Sequence, residues 1–131
     1  RRMTPLRLTL PGPPRTKKTS NRLVRAGGRH RVLPSKAWEL WRDRCWIETG
    51  PLRRRWMVAP LGVAVNVSAL FYRDARRGDA VGYYQGLADV LEYCGIVADD
   101  KHIVSWDGSR LLVDRDMPRV EVEITIQEVA A

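Results

Sequence analysis

Alternating apolar and polar residues mark the strands that this chain is expected to form. Leucines alternate with polar residues over 6–10, and β-branched residues alternate with acidic or polar ones over 120–127. A longer alternation over 61–71 predicts a central strand whose apolar face comprises Val63, Val65, Val67, Ala69 and Phe71. The double glycine at 27–28 predicts a β-hairpin over 23–33, and the short runs at 103–106 and 111–113 predict a strand and its return.

Two segments have helical periodicity. Ser35 is a suitable N-cap for a helix that Gly50 and Pro51 end, and its three tryptophans are expected in the core: Trp38, Trp41 and Trp46. A second helix is expected over 79–94, ended by Gly95, with an apolar stripe of Val81, Tyr84, Leu87, Ala88 and Leu91. This order of elements predicts an α+β fold: a mixed β-sheet with two main helices packed on it, in one domain spanning 1–131.

Two glycines on the second predicted helix suggest a close contact. Gly82 and Gly86 lie four residues apart, and each costs about 1 kcal/mol of helix stability relative to alanine. The simpler explanation is a neighbouring element packed against them, and the alternative is a bound backbone or a dimer partner. Trp56, beside three arginines at 53–55, is the best candidate for stacking on a base.

Charge is divided unevenly along the chain. The net charge is +8 with a pI near 10.2. Residues 1–55 contain 16 Lys and Arg against 3 Asp and Glu, whereas residues 56–131 contain 7 against 12. This asymmetry favours an acidic polymer as partner, held by the basic half and presented to the acidic half. No apolar run is long enough to span a membrane, and the unpaired spacing of Cys45 and Cys94 indicates buried thiols in a cytoplasmic protein.

The candidate chemistry lies in acidic residues. Asp79 stands at the start of the second helix, and Asp99 and Asp100 follow its end. Crowded carboxylates repel one another, which a protein tolerates best when a divalent cation lies between them. Asp79, Asp99 and Asp100 are therefore candidate ligands for Mg²⁺, with Mn²⁺ as a possible substitute. The purely structural alternative is that Asp79 only caps its helix and that Asp99 and Asp100 only form a turn.

Two stretches of the chain, Gly78-Asp79 to Asp89-Val90-Leu91 and Gly95 to Asp99-Asp100-Lys101-His102-Ile103, follow a recognisable pattern. They resemble the RusA family of Holliday junction resolvases, which are homodimeric endonucleases of phages and prophages. The resemblance implies magnesium-dependent, structure-selective cutting of four-way junctions by paired symmetric nicks. By this resemblance Asp79 and Asp100 are catalytic, Asp99 and Asp89 accompany them, and the bacterial host cytoplasm is the location.

The chain departs from the family at three positions. Val81 stands where a second catalytic aspartate is usual, Gly82 where asparagine is usual, and Gln85 where lysine is usual. Gln85 is the third candidate catalytic residue, because an amide can orient a phosphate although it cannot neutralise one. These departures support an alternative, a RusA-like DNA-binding protein with weakened or lost cutting. A basic RNA-binding protein is a weaker alternative.

The basic residues expected to contact DNA lie in loops and the hairpin before or beside the acidic site. They are Lys17, Lys18, Arg22, Arg25, Arg73, Arg76, Arg77 and Lys101. Solvated surface is the ordinary explanation for each of them. Two symmetric nicks need two active sites, so a homodimer is expected if junction resolution is the function.

Overall fold

The chain folds as one small α+β domain. The computed structural model describes residues 5–17, 22–26, 29–33, 35–55 and 59–127, with the backbone alone for 22–26 and 29–33. In chain order the elements are β1 Leu6–Pro11, β2 Arg22–Ala26, β3 Arg29–Leu33, α1 Lys36–Glu48, α2 Gly50–Arg55, β4 Val65–Arg73, α3 Ala80–Tyr93, a 3₁₀ turn Asp100–His102, β5 Ile103–Ser105, β6 Arg110–Val113 and β7 Arg119–Ile126. The predicted fold class is thus confirmed, and so are the hairpin β2–β3 and the strand β7.

The sheet is mixed, with β4 at its centre. Its order is β1-β7-β4-β5, and β6 also pairs with β4. The β1–β7 and β7–β4 pairs are antiparallel, whereas β5 and β6 both run parallel to β4. Helices α1 and α3 cover one face, where the alternate apolar side chains of β4 and β7 are buried against Leu87, Val90 and Leu91 of α3. The alternation in the sequence therefore predicted the buried face correctly.

The return strand predicted at 111–113 is present, but its predicted pairing with the strand before it is wrong. β6 does not form a hairpin with β5, because both strands add to the same edge of β4. The turn between them lies beside the edge of β4 and is held by Asn66, whose side chain accepts from the Asp107 N–H and the Ser105 hydroxyl and donates to the Asp107 carbonyl. Because the buried Asn66 side chain makes three hydrogen bonds to this segment, it fixes the path of the chain from β5 to β6.

The helices begin as predicted but differ in two details. The Ser35 hydroxyl accepts from the Trp38 N–H and starts α1, yet Gly50 and Pro51 open a second short helix instead of ending helical structure. Proline is tolerated in a first helical turn because the N–H it lacks has no partner there. Trp46 is 49% exposed and lies under the Arg53 guanidinium, so its predicted core position is wrong. Trp56 lies outside the described residues.

Of the apolar stripe predicted on α3, Leu87, Ala88 and Leu91 are buried and Tyr84 packs against the core. Val81 is 69% exposed, whereas Tyr83 and Val90 are buried, so the predicted apolar position of Val81 is wrong, as is that of the exposed Val63 before β4. The close contact at the glycines is confirmed as the chain's own packing. A Cβ on Gly86 would lie 2.9 Å from the Arg15 carbonyl oxygen, and one on Gly82 would lie 3.2 Å from Thr16.

Both cysteines are free and buried, as predicted. Burial raises the pKa of the Cys45 and Cys94 thiols, which disfavours their reactive thiolate forms. No helix among the described residues combines the length and apolar character needed to cross a bilayer.

Candidate functional site

Three carboxylates meet at the C-terminal end of α3. One oxygen each from Glu92, Asp99 and Asp100 lies within 4.8 Å of the other two, and we call these residues the acidic cluster. Glu92 is in the last turn of α3, and the two aspartates follow in the 3₁₀ turn and its cap. In the described part of the chain this is the one group of three acidic, histidine or cysteine side chains close enough to share a cation.

A glycine turn delivers the two aspartates to Glu92. Gly95 has φ 72°, and the N–H of Ile96 donates to the Leu91 carbonyl while that of Gly95 donates to Glu92. These two bonds close α3 in the Schellman manner, which needs a residue that adopts positive φ without strain. Leu61 then pairs with Ile96 and Ala98 through backbone hydrogen bonds, so the chain turns back along the helix end.

Hydrogen bonds differentiate the two aspartates. The Lys101 N–H donates to Asp99 at 3.0 Å and holds the pKa of that carboxyl below its usual value. The hydrogen bond with Asp99 raises the pKa of Asp100, with further contributions from lost hydration and the charges of Glu92 and Asp89. The Asp100 N–H donates to Glu92 at 2.9 Å, which fixes the two residues relative to each other. Of the two aspartates, Asp100 is therefore the one whose raised pKa makes its ionised form less favourable.

The surroundings of the acidic cluster favour a hard divalent cation. The C-terminal end of a helix carries partial negative charge, and three carboxylates lie close together there, so a cation beside them is favoured. Oxygen ligands are those that Mg²⁺ prefers, and this ion keeps waters while using one or two carboxylates. The donor set therefore fits Mg²⁺, with Asp100, Asp99 and Glu92 as the residues that would hold it.

Asp79 is not part of the acidic cluster. Its side chain accepts from the Gly82 N–H at 2.9 Å and caps the opposite end of α3 from Glu92. Glu92 lies thirteen positions after Asp79 in the sequence, which corresponds to about 20 Å along a helix. The structure thus brings together Asp99 and Asp100 of the three predicted ligands, adds Glu92, and leaves Asp79 as a helix cap.

An open groove runs along α3 beside Asp100. Its volume is about 390 Å³, and it is lined by Val81, Tyr84, Gln85, Ala88, Asp100, Ile103 and Trp106. We call it the Gln85 groove. Tyr84 and Trp106 stack in parallel with ring centroids 4.7 Å apart and form its aromatic wall. Two of the three positions that depart from the RusA pattern, Val81 and Gln85, therefore line the same groove as the candidate metal ligand Asp100.

The predicted DNA-contacting residues occupy different environments. Lys17 forms a 2.7 Å ion pair with Asp89 and lies over the Trp38 ring, so its charge is already paired. Lys101 is exposed beside the acidic cluster. Arg73, Arg76 and Arg77 line a cleft at the other end of α3. Lys18 lies outside the described residues, as do the side chains of Arg22 and Arg25.

Sequence reasoning missed Glu92. It lies seven residues after Gln85, which places both on one helical face, and it precedes the Gly95 turn that leads to the aspartates. Those two features of the sequence could have identified Glu92 as a candidate site residue. The hydrogen bond from the Asp100 N–H to Glu92, which joins residues eight apart, has no signature in a local pattern.

No protein-family model matches this chain, and no curated protein sequence matches it.

Proposed function

We propose that this protein is a magnesium-dependent, structure-selective endonuclease that resolves four-way DNA junctions by paired nicks, acting as a homodimer. The observation that carries the proposal is the acidic cluster, in which three carboxylates crowd at the negative end of α3. Such an arrangement is stabilised by a divalent cation, and a carboxylate-held magnesium ion is a common agent of phosphodiester hydrolysis. The resemblance to the RusA family suggests the class of substrate, which is branched DNA.

Each group of residues at the site has a separate proposed role. Asp100, supported by Asp99 and Glu92, would hold the cation, which would polarise the phosphate and lower the pKa of a coordinated water. Gln85 lies in the same groove and can donate a hydrogen bond to a phosphate oxygen. Arg73, Arg76, Arg77 and Lys101 supply positive charge for the backbone, which the basic composition also favours.

The test is a nicking assay on a mobile four-way junction with and without magnesium. We expect paired nicks in wild-type protein and their loss in Asp100→Asn, because Asn keeps the size but removes the charge that holds the cation. Asp79→Asn is the matched control for folding, since asparagine caps a helix about as well as aspartate. It is expected to lower nicking less than Asp100→Asn, because Asp79 lies outside the acidic cluster.

The assay has outcomes that would end the proposal. Wild-type protein that binds junctions but makes no magnesium-dependent nicks would leave only the binding function. Nicks that persist in Asp100→Asn would place the metal elsewhere, since Asp100 is the residue shared by the acidic cluster and the Gln85 groove.

A second function, junction binding without cutting, is favoured by one observation. Val81 is 69% exposed on the Gln85 groove, so an apolar side chain stands where a second metal ligand would be expected from the RusA pattern. Loss of a charged group at a reaction centre typically costs a few kcal/mol of transition-state stabilisation. The same assay separates such a junction-binding protein from an active enzyme.

A further inference from the structure

An aromatic side chain and three arginines form an exposed surface where α1 passes into α2. Trp46 lies in the last turn of α1 and is 49% exposed. Arg53, Arg54 and Arg55 form the last turn of α2. We call these four residues the Trp46 platform. It includes no residue of the acidic cluster, of the Gln85 groove or of the loop between β4 and α3.

Arg53 supports the exposed indole of Trp46. The central carbon of its guanidinium lies 4.5 Å from the centre of the Trp46 ring. Its Nη2 donates to the Trp46 carbonyl at 2.7 Å, and its Nη1 donates to the Thr49 hydroxyl at 2.6 Å. These hydrogen bonds hold the cation against the ring, so the indole is a flat surface kept in one position while half of it remains open to solvent. A fixed ring loses less entropy when it binds a ligand than a mobile one.

The positive charge of the platform is not neutralised by the described part of the chain. Arg53 donates to neutral oxygens alone, those of Trp46, Cys94 and the Thr49 side chain. Its two neighbours on α2 are exposed, and none of the three arginines forms an ion pair with a described carboxylate, Glu48 at the end of α1 included. Three uncompensated cations within one helical turn favour a polyanion as ligand.

The surroundings of the platform favour a nucleic acid over an anionic membrane. The exposed apolar side chains of α1, Leu40 and Ile47, are separated by the charged Asp43 and Arg44 and followed by Glu48. The helix therefore has no continuous apolar face that could enter a bilayer. A single exposed ring flanked by cations is instead the arrangement that binds unpaired strands, because bases stack on the ring while the arginines meet the phosphates.

We infer that the Trp46 platform binds single-stranded DNA, with one unpaired base stacked on Trp46 and neighbouring phosphates held by Arg54 and Arg55. The bases of a duplex already stack on one another, so the platform selects unpaired strands. The choice of DNA over RNA rests on the proposed function. Arg53 also donates to the carbonyl of Cys94, the C-cap of α3, at 3.2 Å. An unpaired strand on the platform would therefore lie at the same end of α3 as the acidic cluster.

The first test separates stacking from charge. It compares the binding, in EDTA, of a labelled oligothymidine with that of an abasic oligonucleotide of the same length, which keeps the phosphates but lacks the bases. Wild-type protein should bind the oligothymidine about 10-fold more tightly, a factor that one stacked base provides. Trp46→Leu should lose this preference, and Trp46→Phe, which keeps a ring, should retain part of it. An equal preference in wild type and Trp46→Leu would overturn the inference.

The second test concerns the arginines and leaves Trp46 intact, so it reports even if Trp46→Leu does not fold. Arg54→Gln and Arg55→Gln are compared with Arg110→Gln, a matched loss of one exposed arginine on β6. The slope of log K against log salt for the oligothymidine should fall by about 0.7 for each lost phosphate contact. It should not change in Arg110→Gln. Equal slopes in all three variants would overturn the inference.

The same variants distinguish other ligands. Binding of a DNA duplex should not depend on Trp46, and a duplex whose affinity falls as much as that of the oligothymidine in Trp46→Leu would overturn the selection of unpaired strands. Tighter binding of an oligouridine than of the oligothymidine would overturn DNA in favour of RNA. Vesicles of phosphatidylglycerol that bind wild type but not Trp46→Leu, with oligothymidine binding unchanged, would overturn the inference in favour of a membrane surface. Because no readout involves nicking, failure of the nuclease proposal would leave these results interpretable.

Discussion

The two ends of α3 contain opposite charge, but they hold it in different ways. At the N-terminal end, Arg73 is buried and fixed by carbonyl oxygens, and the helix dipole favours the anion that it would bind. At the C-terminal end, Glu92 and Asp100 are exposed, and the dipole opposes the charge they carry. The arginine end is therefore held in place by the chain's own carbonyl groups, whereas the exposed acidic end would gain from a bound cation. One rigid helix of 14 residues separates them.

The largest expected effect comes from adding charge between the two ends. Val81→Asp with Gln85→Lys places a carboxylate and an amine on the groove that Asp100 lines, in the manner of the RusA family. If the protein is an enzyme weakened at these positions, magnesium-dependent nicking should rise by about 100-fold, the usual worth of one electrostatic group at a reaction centre. The measurement is the single-turnover nicking rate on a four-way junction.

Val104→Asp is the control for that variant, because Val104 is also exposed and apolar but does not line the groove. Equal rates in both variants would argue that the Gln85 groove has no part in cutting.

The next largest effect concerns the helix that holds the ends apart. Gly86→Ala should destabilise the protein by about 1–3 kcal/mol, although alanine favours helix, because its Cβ would lie 2.9 Å from the Arg15 carbonyl oxygen. It would also disturb the bond from Trp38 Nε1 to the Gly86 carbonyl. Urea unfolding measures the change, and Gln85→Ala on the exposed side of α3 is the comparison. A stabilised Gly86→Ala variant would contradict the tight contact.

The sequence predicted where both ends of α3 lie, but not which side chains meet there. Alternation and helical spacing are local, so they found β4, α3, the Asp79 cap and the Gly95 turn. Which residue a side chain meets depends on packing between distant segments. That is why Lys17, expected on DNA, pairs with Asp89, and why Val81 points outward. The parallel pairing of β6 with β4 depends in the same way on Asn66, a residue 41 positions from the turn it holds.

A smaller effect should follow from removing the Lys17 charge. Its ion pair with Asp89 is partly buried, and its ammonium lies over the Trp38 ring, so Lys17→Gln should cost about 1 kcal/mol of unfolding free energy. Because that charge is already paired, junction affinity should fall less than in Arg76→Gln. Unfolding and filter-binding measurements on both variants check this. A large loss of affinity without loss of stability would return Lys17 to the DNA-contacting set.

The smallest expected effect is a pH dependence at the acidic end, measured in EDTA. Hydrogen bonding lowers the pKa of Asp99, so its contribution to stability is present above its unfolded value of about 3.9 and is lost as pH falls through the lower folded value. The pKa of Asp100 is raised, so its contribution is present below about 3.9 and is lost as pH rises through the folded value. Asp99→Asn should therefore destabilise the protein near neutral pH, whereas Asp100→Asn should be neutral or slightly stabilising there.

Both groups are solvent-exposed, so the differences should be small and reduced by salt. Magnesium should stabilise wild type at neutral pH, and both variants should lose part of that gain, since Asp99 and Asp100 are both candidate ligands. Urea unfolding of the two variants with and without magnesium gives all four comparisons. If magnesium stabilises Asp100→Asn as much as wild type, the acidic end of α3 does not hold the cation, and its carboxylates are tolerated there through solvent screening alone.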